Sequence, residues 1–433
     1  MMRVQVNIYA DCYKDLRGYQ GAVMGLPADP YVVRDALQRA RVPEGGGYTL
    51  ESTGDWPDFL SAALFNASPL SGENALGELN LLADAVSRMD EIQIETFEGA
   101  LQLHLEETGK KTAALKELIN LSACLDDYEF HPGVTDDLQL GRACMEGGML
   151  DLVEGLPDEV VGLLDPVKVG KELLDPAKVG KALRDSDHGT FTPRGYVYRG
   201  TTAVRQDFYD GEHLPPCCEN SQGLISLLIK SPGTADKGSG AWLELPADEK
   251  ALRWALISIG EESFDPCWIE EVRSPVMMLQ DQLVGCEDIG KLNTLAGRLG
   301  NLRQAAPDDL MLMKYKAALA WELHQKKYSD PDELLEIDFL DVELDIAANL
   351  HCYDYSPDVL SPDAYGEYAL QSAGIDTDDP AFFRFDFHGY GERMLEKAGY
   401  ILTAYGAISR NGQEFVHEYT ESDQAAGQGM EMK

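Results

Sequence analysis

The chain contains two divergent copies of one unit, and this internal duplication limits the folds that it can adopt. Matched segments recur in the same order in both halves, and the shift between them drifts by only a few residues. A long collinear repeat indicates a structural unit that is built twice. We therefore predict that residues 1–200 and about 221–420 share one fold. The matched pairs are 21–29 with 240–248, 79–83 with 292–296, 128–141 with 353–366 and 180–195 with 391–406.

Each copy is predicted to contain three small modules. The first begins with a short apolar run typical of a strand, at 4–9 and 224–229, and continues with a helix that has one apolar face. The second is helical, with leucine stripes that favour a buried core. The third combines helices with an extended segment and ends in a glycine-punctuated hairpin, at 189–198 and 399–408. The predicted class is α+β, an elongated array in which a three-module unit occurs twice.

The sequence divides into eight predicted segments, of which the linker and the tail are the least periodic. They are the N-terminal α+β module 1–58, the helical module 59–118 and the acidic α+β module 119–200 of copy one, the linker 201–220, the α+β module 221–275, the helical module 276–333 and the acidic α+β module 334–420 of copy two, and the polar tail 421–433.

The net charge excludes several classes of partner. The 433 residues include 75 acidic and 36 basic side chains, which gives a net charge of −39. Direct binding to nucleic acid requires a basic surface, and so does binding to an anionic membrane. Neither partner is expected. Hydrophobic residues make up 44% of the chain, enough to build packed cores, so the acidity does not indicate disorder.

The sequence predicts a cytoplasmic protein without a membrane segment. The N-terminus lacks the apolar run of a signal peptide, and no stretch approaches the roughly 20 apolar residues of a membrane span. The eight cysteines are scattered and include no CxxC pair, which is typical of a reduced compartment.

The acidic residues are concentrated at equivalent places in the two copies. Residues 121–160 carry a net charge of −9, and residues 331–380 carry −14. A solvated face that keeps the protein soluble is the simplest interpretation. The size of the acidic excess and its repetition in both copies favour a second interpretation, the imitation of a nucleic acid. At the charge spacing of B-DNA, a net charge of 39 would cover about 65 Å, or roughly 20 base pairs.

The candidate functional residues are therefore the carboxylates of these two blocks, predicted to form an acidic surface that imitates DNA. They are Asp126, Asp127, Glu129, Asp136, Asp137, Glu146, Asp151, Glu154, Asp158 and Glu159 in copy one, and Glu333, Glu336, Asp338, Asp341, Glu343, Asp345, Asp354, Asp358, Asp363, Glu367, Asp376, Asp378 and Asp379 in copy two.

An ordered set of short motifs resembles the ArdA antirestriction proteins. The resemblance covers nearly the whole chain, twice, and depends on the order and spacing of the motifs. The motifs are Gly-Ala-Trp at 240–242, the ELNxLA helix at 78–83, Leu-Asp-Asp-Tyr-Glu-Phe-x-Pro-Gly-Val at 125–134, the Leu-Gly-Arg…Glu helix at 140–146, Tyr-Gly at 390–391 and Gly-Thr-Phe at 189–191.

Both copies depart from this pattern at single positions. Copy one has Val23 in place of the Trp and Val179 in place of the Tyr. Copy two has Glu367 in place of the Arg, Gln371 in place of the Glu, and Gly-Tyr-Ile at 399–401 in place of Gly-Thr-Phe. The family usually has one unit per chain and forms dimers. Two fused units leave open an intramolecular pseudo-dimer or a homodimer.

The resemblance implies an acidic, three-module DNA mimic. Proteins of this family occupy the DNA-binding groove of type I restriction–modification enzymes and block restriction, often modification too. They are carried by mobile elements. The resemblance implies no catalysis, no cofactor and no metal.

Three alternatives remain open. The first is the same mimicry aimed at another DNA-binding target, as in an anti-CRISPR-like inhibitor or a blocker of a nucleoid protein. The second is an enzyme that uses paired carboxylates, although no HExxH, GxSxG, P-loop or dinucleotide motif occurs. The adjacent His351 and Cys352 are expected to point to opposite faces of a strand. The third is calcium binding at 376–379, which lacks the EF-hand pattern.

Overall fold

The structure is a computed structural model of the chain. It describes residues 4–52, 54, 56–65, 70–72, 74–147, 175–200, 207–214, 223–232, 240–284, 288–329 and 339–420.

The protein has an α+β fold built from small sheets and separate helices, as the sequence predicts. The chain divides into two compact units. Unit 1 contains residues 1–6, 25–28 and 50–219. Unit 2 contains residues 7–24, 29–49 and 220–433. The N-terminal module of copy one therefore contributes most of its residues to the unit that also contains copy two.

The elements of copy one are given in chain order. They are β1 (Val4–Ala10), β2 (Ala22–Leu26), α1 (Pro30–Arg39), β3 (Tyr48–Ser52), α2 (Asp58–Phe65), β4 (Leu70–Ser71), α3 (Ala75–Ser87), α4 (Glu91–Thr108), α5 (Leu115–Ala123), β5 (Tyr128–Pro132), α6 (Asp137–Gly147), α7 (Pro176–Asp187), β6 (Thr190–Phe191) and β7 (Gly195–Arg199).

Copy two repeats the same succession of modules. Its elements are β8 (Ile225–Lys230), β9 (Ala241–Leu245), α8 (Glu249–Ile259), β10 (Trp268–Arg273), α9 (Met277–Gln282), α10 (Ile289–Ala305), α11 (Leu310–Ser329), α12 (Phe339–Ala348), β11 (Tyr353–Ser356), α13 (Pro362–Ser372), α14 (Phe387–Ala398), β12 (Ile401–Thr403) and β13 (Gly406–Arg410).

The first modules of the two copies have matching sheets. Strand β1 lies between β2 and β3, and β8 lies between β9 and β10 in the same way. Strands β2 and β9 alternate buried and exposed residues, so each has one face on a core. The helices that follow begin at equivalent residues, Asp29 and Asp248, whose carboxylates accept hydrogen bonds from N–H groups of the first turn.

An asparagine on the second module anchors the turn that precedes each of these helices. The side chain of Asn80 on α3 accepts a hydrogen bond from the Ala28 N–H and donates one to the Ala28 carbonyl, both at 2.8 Å. In copy two, Asn293 on α10 makes the same pair of bonds with Ala247, at 2.7 and 3.0 Å. The Leu-Asn motif is therefore a clamp between modules in both copies.

The third module in each copy is a pair of helices beside a three-stranded antiparallel sheet. The strand orders are β5-β7-β6 and β11-β13-β12. Two glycines allow each helix pair to touch backbone to backbone. A Cβ added at Gly141 would lie 1.8 Å from the Pro176 carbonyl oxygen, and one added at Gly391 would lie 1.7 Å from the Pro362 carbonyl oxygen. A side chain at these positions would force the helices apart.

A single apolar core joins the three modules of copy two. It includes Leu227 of β8, Leu292 of α10, Leu319 of α11, Leu344 of α12 and Ile408 of β13, all fully buried. Because burial of apolar surface is the main favourable term in folding, these modules stabilise one another.

Within unit 2, helix α1 of copy one packs on helix α11 of copy two through a buried ion pair. Lys316 and Asp35 are 0% and 1% exposed, and the Lys316 Nζ lies 2.7 Å from the Asp35 Oδ1. Lys316 also donates to the Gln38 side chain at 2.6 Å, and the Tyr405 hydroxyl donates to Asp35 at 2.7 Å. The Arg39 Nε lies 2.8 Å from the other Asp35 oxygen. Each charge of the pair therefore has several hydrogen-bond partners.

The electrostatic surroundings keep Asp35 ionised. Burial acts to raise the pKa of the Asp35 carboxyl, but the positive charges of Lys316 and Arg39 outweigh it and lower that pKa. Around this centre, the Arg34 Nε donates to Asp309 at 3.0 Å, and the Tyr31 and Ser226 hydroxyls are 2.7 Å apart. The contact has a charged centre and further polar contacts on either side.

The described part of the predicted linker belongs to unit 1 and packs along α5. Tyr209 is buried, and its backbone N–H and carbonyl both bond to the Asn120 side chain, at 2.7 and 2.9 Å. The Lys116 Nζ donates to the Asp210 carbonyl at 2.7 Å. Residues 207–214 are thus held along α5. The remaining linker residues and the tail lie outside the described part of the chain. Among the described residues, no helix is long and apolar enough to cross a membrane.

Replacing Lys316 by methionine is expected to lower the free energy of unfolding by about 3–5 kcal/mol, because it leaves the Asp35 carboxylate buried without its main compensating charge. Adding Asp35→Leu should recover part of this loss, because it removes the uncompensated charge. Urea unfolding followed by circular dichroism measures both, with Arg393→Met at an exposed position as the control. Equal losses in the single and double variants would contradict a coupled ion pair.

Candidate functional site

The third module of copy one exposes carboxylates along β5 and the start of α6. Asp126, Glu129 and Asp136 are exposed. Glu129 lies opposite Tyr198 on β7 and accepts a hydrogen bond from its hydroxyl. Burial and the adjacent Glu129 carboxylate raise the pKa of Tyr198, so this tyrosine stays neutral. Asp136 also caps α6, since it accepts a hydrogen bond from the Gln139 N–H at 2.7 Å.

The third module of copy two exposes carboxylates in equivalent places. Asp354 follows the first tyrosine of β11, as Glu129 does on β5, and it is exposed. Asp358 is also exposed, and it contributes after burial to a raised pKa of Tyr13 within unit 2. The position equivalent to Asp136 is Ser361, whose hydroxyl caps α13 by accepting from the Ala364 N–H.

The acidic loop after α13 is organised by its own backbone. Asp376, Asp378 and Asp379 are exposed. The Asp376 carboxylate accepts a hydrogen bond from the Asp378 N–H at 3.0 Å, and Asp379 accepts one from the Ala381 N–H at 2.8 Å. In the described part of the chain, no three His, Cys, Asp or Glu side chains are placed to hold a metal ion.

Other predicted carboxylates are half-buried, and three of them are paired with basic side chains. The Asp137 carboxylate accepts two hydrogen bonds from Arg184, at 2.9 and 3.2 Å. Glu367 lies 3.3 Å from Arg17 and Asp363 lies 2.9 Å from His388. These pairs reduce the net charge that the three carboxylates present to a partner. Asp127 is half-buried too.

Three predicted surface carboxylates are buried, and the prediction is wrong for them. Asp341, Glu343 and Asp345 are 3%, 0% and 1% exposed. Helix α12 is buried continuously from residue 340 to 347, so acidic residues at alternating positions lie inside the protein with their apolar neighbours. A count of charges along the sequence does not detect this, because it ignores which helices are enclosed.

Each buried carboxylate has its own compensating partners. Asp341 lies 2.6 Å from the Lys291 Nζ. One Glu343 carboxylate oxygen lies 3.0 Å from the Gln282 side-chain amide, which can donate to it when the amide is turned over. Asp345 accepts backbone N–H groups of residues 418, 419 and 420, each at 3.0–3.1 Å, and the Thr420 hydroxyl at 2.7 Å. These carboxylates have structural roles, since buried charges require such partners.

Glu146 lies in α6. The residues outside the described part of the chain are Asp151, Glu154, Asp158, Glu159, Glu333, Glu336 and Asp338.

The histidine–cysteine pair differs from the expectation. Residues 350–352 form a 3₁₀ turn, not a strand, and the Cys352 Sγ lies 3.5 Å from the His351 Nε2. The prediction that the two side chains point to opposite faces is therefore wrong. Cys352 is buried, and its thiol donates to the Glu414 carbonyl oxygen at 3.3 Å, so the thiol participates in packing.

A cavity of about 500 Å³ lies in unit 1 beside α5. Lys116 and Arg199 line it together with Glu117, Asp127 and Asp207. A DNA-like surface needs one sign of charge, and this cavity has both, so we do not include it in the candidate site.

Sequence reasoning missed the different environments of the first-module helices. Helices α1 and α8 were predicted as equivalent, yet the face of α1 that carries Asp35 is buried and the face of α8 that carries Trp254 is exposed. The residue types at this position give no usable signal, because an aspartate is ordinarily exposed and a tryptophan ordinarily buried, the reverse of what the structure has.

Comparison with models of known protein families gives no match to this chain. Comparison with curated proteins likewise gives no match. The function is therefore inferred from the residues and their arrangement.

Replacing Asp345 by asparagine is expected to destabilise the protein by about 1–3 kcal/mol, because buried N–H donors lose a charged acceptor. Asp378→Asn, at an exposed position, should change the stability by less than about 0.5 kcal/mol. Thermal unfolding of the two variants makes the comparison. Equal effects would contradict the division of the acidic residues into buried and exposed sets.

The pKa of His388 is expected to fall when Asp363 is replaced by asparagine. The hydrogen bond to Asp363, helped by the charges of Glu392 and Asp386, raises that pKa above its ordinary value of 6.5. Since the folded-state pKa is raised, the pair stabilises the fold fully below the unfolded pKa and less as the pH rises through the folded one. NMR titration of the His388 ring measures the shift. His417, whose Nδ1 lies 2.9 Å from the Thr420 hydroxyl, serves as the reference.

Proposed function

We propose that this chain is an antirestriction protein of the ArdA type. It acts as a DNA mimic that occupies the DNA-binding groove of type I restriction–modification enzymes in the cytoplasm, and it blocks restriction and possibly modification. The observation that carries the proposal is the presence of exposed carboxylates at equivalent places on the third modules of both copies, with Glu129 and Asp354 as the matched pair.

Mimicry of this kind would gain its affinity from the same electrostatic contributions that favour the binding of DNA. A basic groove that binds DNA releases counterions, and an acidic protein placed in it releases the same ions from the groove. Inhibition should then weaken steeply as salt rises. Long-range attraction between a chain of net charge −39 and a basic groove would also accelerate association.

The burial of three acidic residues refines the proposed surface. After Asp341, Glu343 and Asp345 are removed, the described candidates with the most exposure are Asp126, Glu129 and Asp136 in copy one, and Asp354, Asp358, Asp376, Asp378 and Asp379 in copy two. No catalytic residue, cofactor or metal enters this mechanism. Direct binding of the chain to nucleic acid is not part of it.

The same chemistry also fits a second class of target. Any protein with a basic DNA groove, such as a CRISPR effector or a nucleoid protein, would attract this surface. No residue of this chain distinguishes the two classes of target. They are distinguished by the assay that detects inhibition. Phage plating on hosts that carry a type I system addresses the first. Competition with labelled DNA for a purified DNA-binding protein addresses the second.

Neutralising the exposed carboxylates is expected to reduce inhibition gradually. One variant set combines Asp126→Asn, Glu129→Gln and Asp136→Ser, where serine preserves the helix cap as Ser361 does in copy two. The other combines Asp354→Asn, Asp358→Asn and Asp378→Asn. Each substitution should weaken binding to the restriction enzyme about two- to fivefold, as expected for single exposed ion pairs. Each should also reduce the salt slope by about one.

The matched control neutralises three exposed acidic residues elsewhere, Glu106, Glu107 and Glu262. Circular dichroism confirms folding, and phage plating with a co-expressed type I system reads inhibition. Unchanged restriction at high expression of the parent chain would refute this target. Complete loss from one single substitution would refute a distributed surface. Equal losses in the control set would show that only total charge matters.

A further inference from the structure

Helices α1 and α8 present the same four positions on one face, but the residues there have diverged. The repeat aligns the two helices with a shift of 219 residues. Positions three, four and seven apart on a helix share a face. The equivalent pairs are Tyr31 with Lys250, Arg34 with Arg253, Asp35 with Trp254 and Gln38 with Ile257.

The two faces differ in what covers them. On α1 the face packs against α11, with Tyr31 4% and Asp35 1% exposed. On α8, Trp254 is 60% exposed and Ile257 59% exposed. Large apolar side chains gathered on one exposed face mark an interaction surface more often than single exposed residues do.

The chain also contains a second copy of the helix that receives α1. Helix α4 is the counterpart of α11, since Gly-Ala-Leu at 99–101 aligns with Ala-Ala-Leu at 317–319, and the buried Phe97 aligns with the buried Tyr315. This alignment places Glu91 at the position of Asp309, the partner of Arg34. It places Glu98 at the position of Lys316.

The charges on α4 complement those of the exposed α8 face. The Glu91 side chain is 90% exposed and lies 3.4 Å from Arg194, itself 61% exposed, and the adjacent Ile92 is 57% exposed. Burial raises the pKa of Glu98, and the neighbouring carboxylates of Glu95 and Asp58 add to this rise. The α8 face carries Lys250 and Arg253, both exposed.

We propose that helix α8 of one chain docks on helix α4 of a second copy of this chain, in the arrangement that α1 and α11 already have within unit 2. Trp254 and Ile257 would form the apolar centre of the contact, and Arg253 would pair with Glu91 as Arg34 pairs with Asp309. The contact is heterologous, so copies associate head to tail. It does not depend on the antirestriction function.

Apolar anchors are needed because the net charge opposes self-association. Two chains of net charge −39 repel each other, and one ion pair at a rim contributes little. Tryptophan is the residue that most often dominates the binding energy of an interface. Trp254 on α8 occupies the position that Asp35 has on α1. The α8 face therefore has an apolar anchor where the α1 face has the charge of its contact with α11.

Sedimentation velocity of the full chain over a concentration series tests the proposal. The parent chain should form species larger than a monomer, reversibly. Trp254→Glu should weaken association by about 30-fold or more, as for the loss of a central anchor. Glu91→Lys with Glu98→Lys should weaken it too, and Lys316 shows that a lysine fits at the second position. Phe383→Glu, which changes an aromatic residue that is 90% exposed, is the matched control.

A mixture of the two defective variants gives the sharpest test. In the mixture, the intact α4 of the Trp254→Glu chain can accept the intact α8 of the other variant. A one-to-one complex, not formed by either variant alone, is the expected result. A parent chain that stays monomeric throughout the series would overturn the proposal, as would normal association of the Trp254→Glu chain. A mixture without a complex would exclude the head-to-tail contact. Circular dichroism establishes that each variant folds.

Discussion

The buried ion pair between Lys316 and Asp35 determines how unit 2 is put together. Two charges enclosed by protein are costly, and only well-placed partners offset that cost. Here Gln38, Arg39 and Tyr405 supply them. The contact therefore tolerates one register of α1 on α11, whereas an apolar contact would tolerate several. A segment from the beginning of the chain is in this way fixed against elements that lie about 280 and 370 residues further on.

The acidic residues of this chain serve two different physical purposes. Asp35, Asp341 and Asp345 are enclosed, and their charges are balanced by lysine, arginine or backbone N–H groups. The Glu129 and Asp354 side chains are exposed on β5 and β11, and their charges face the solvent. Only the second kind contributes to the field that a partner senses at a distance. The proposed mimicry depends on the exposed residues, while the enclosed ones hold the scaffold that displays them.

Much of the fold was accessible from sequence, because it depends on local patterns. The apolar runs predicted as strands at 4–9 and 224–229 occur as β1 (Val4–Ala10) and β8 (Ile225–Lys230), since short apolar segments between turns determine them. The burial of α12 was not accessible, because its acidic residues resemble a solvated face until the neighbouring helices are known. The candidate site was therefore placed on two modules that do expose carboxylates, but it included three residues that the fold encloses. Whether the exposed ones bind a restriction enzyme is a question of function that no local pattern decides.

The glycine contacts in the third modules have a consequence for how this protein can change. At Gly141 and Gly180, and again at Gly366 and Gly391, the helices meet through main-chain atoms. The distance between the two helix axes is then independent of the side chains around them. Surface residues can therefore differ between the two copies without a change in the spacing of the helices. One example is the aspartate at a helix start in copy one, which is a serine in copy two. The two copies can therefore diverge in sequence and keep the same helix spacing, because contacts between backbone atoms set that spacing.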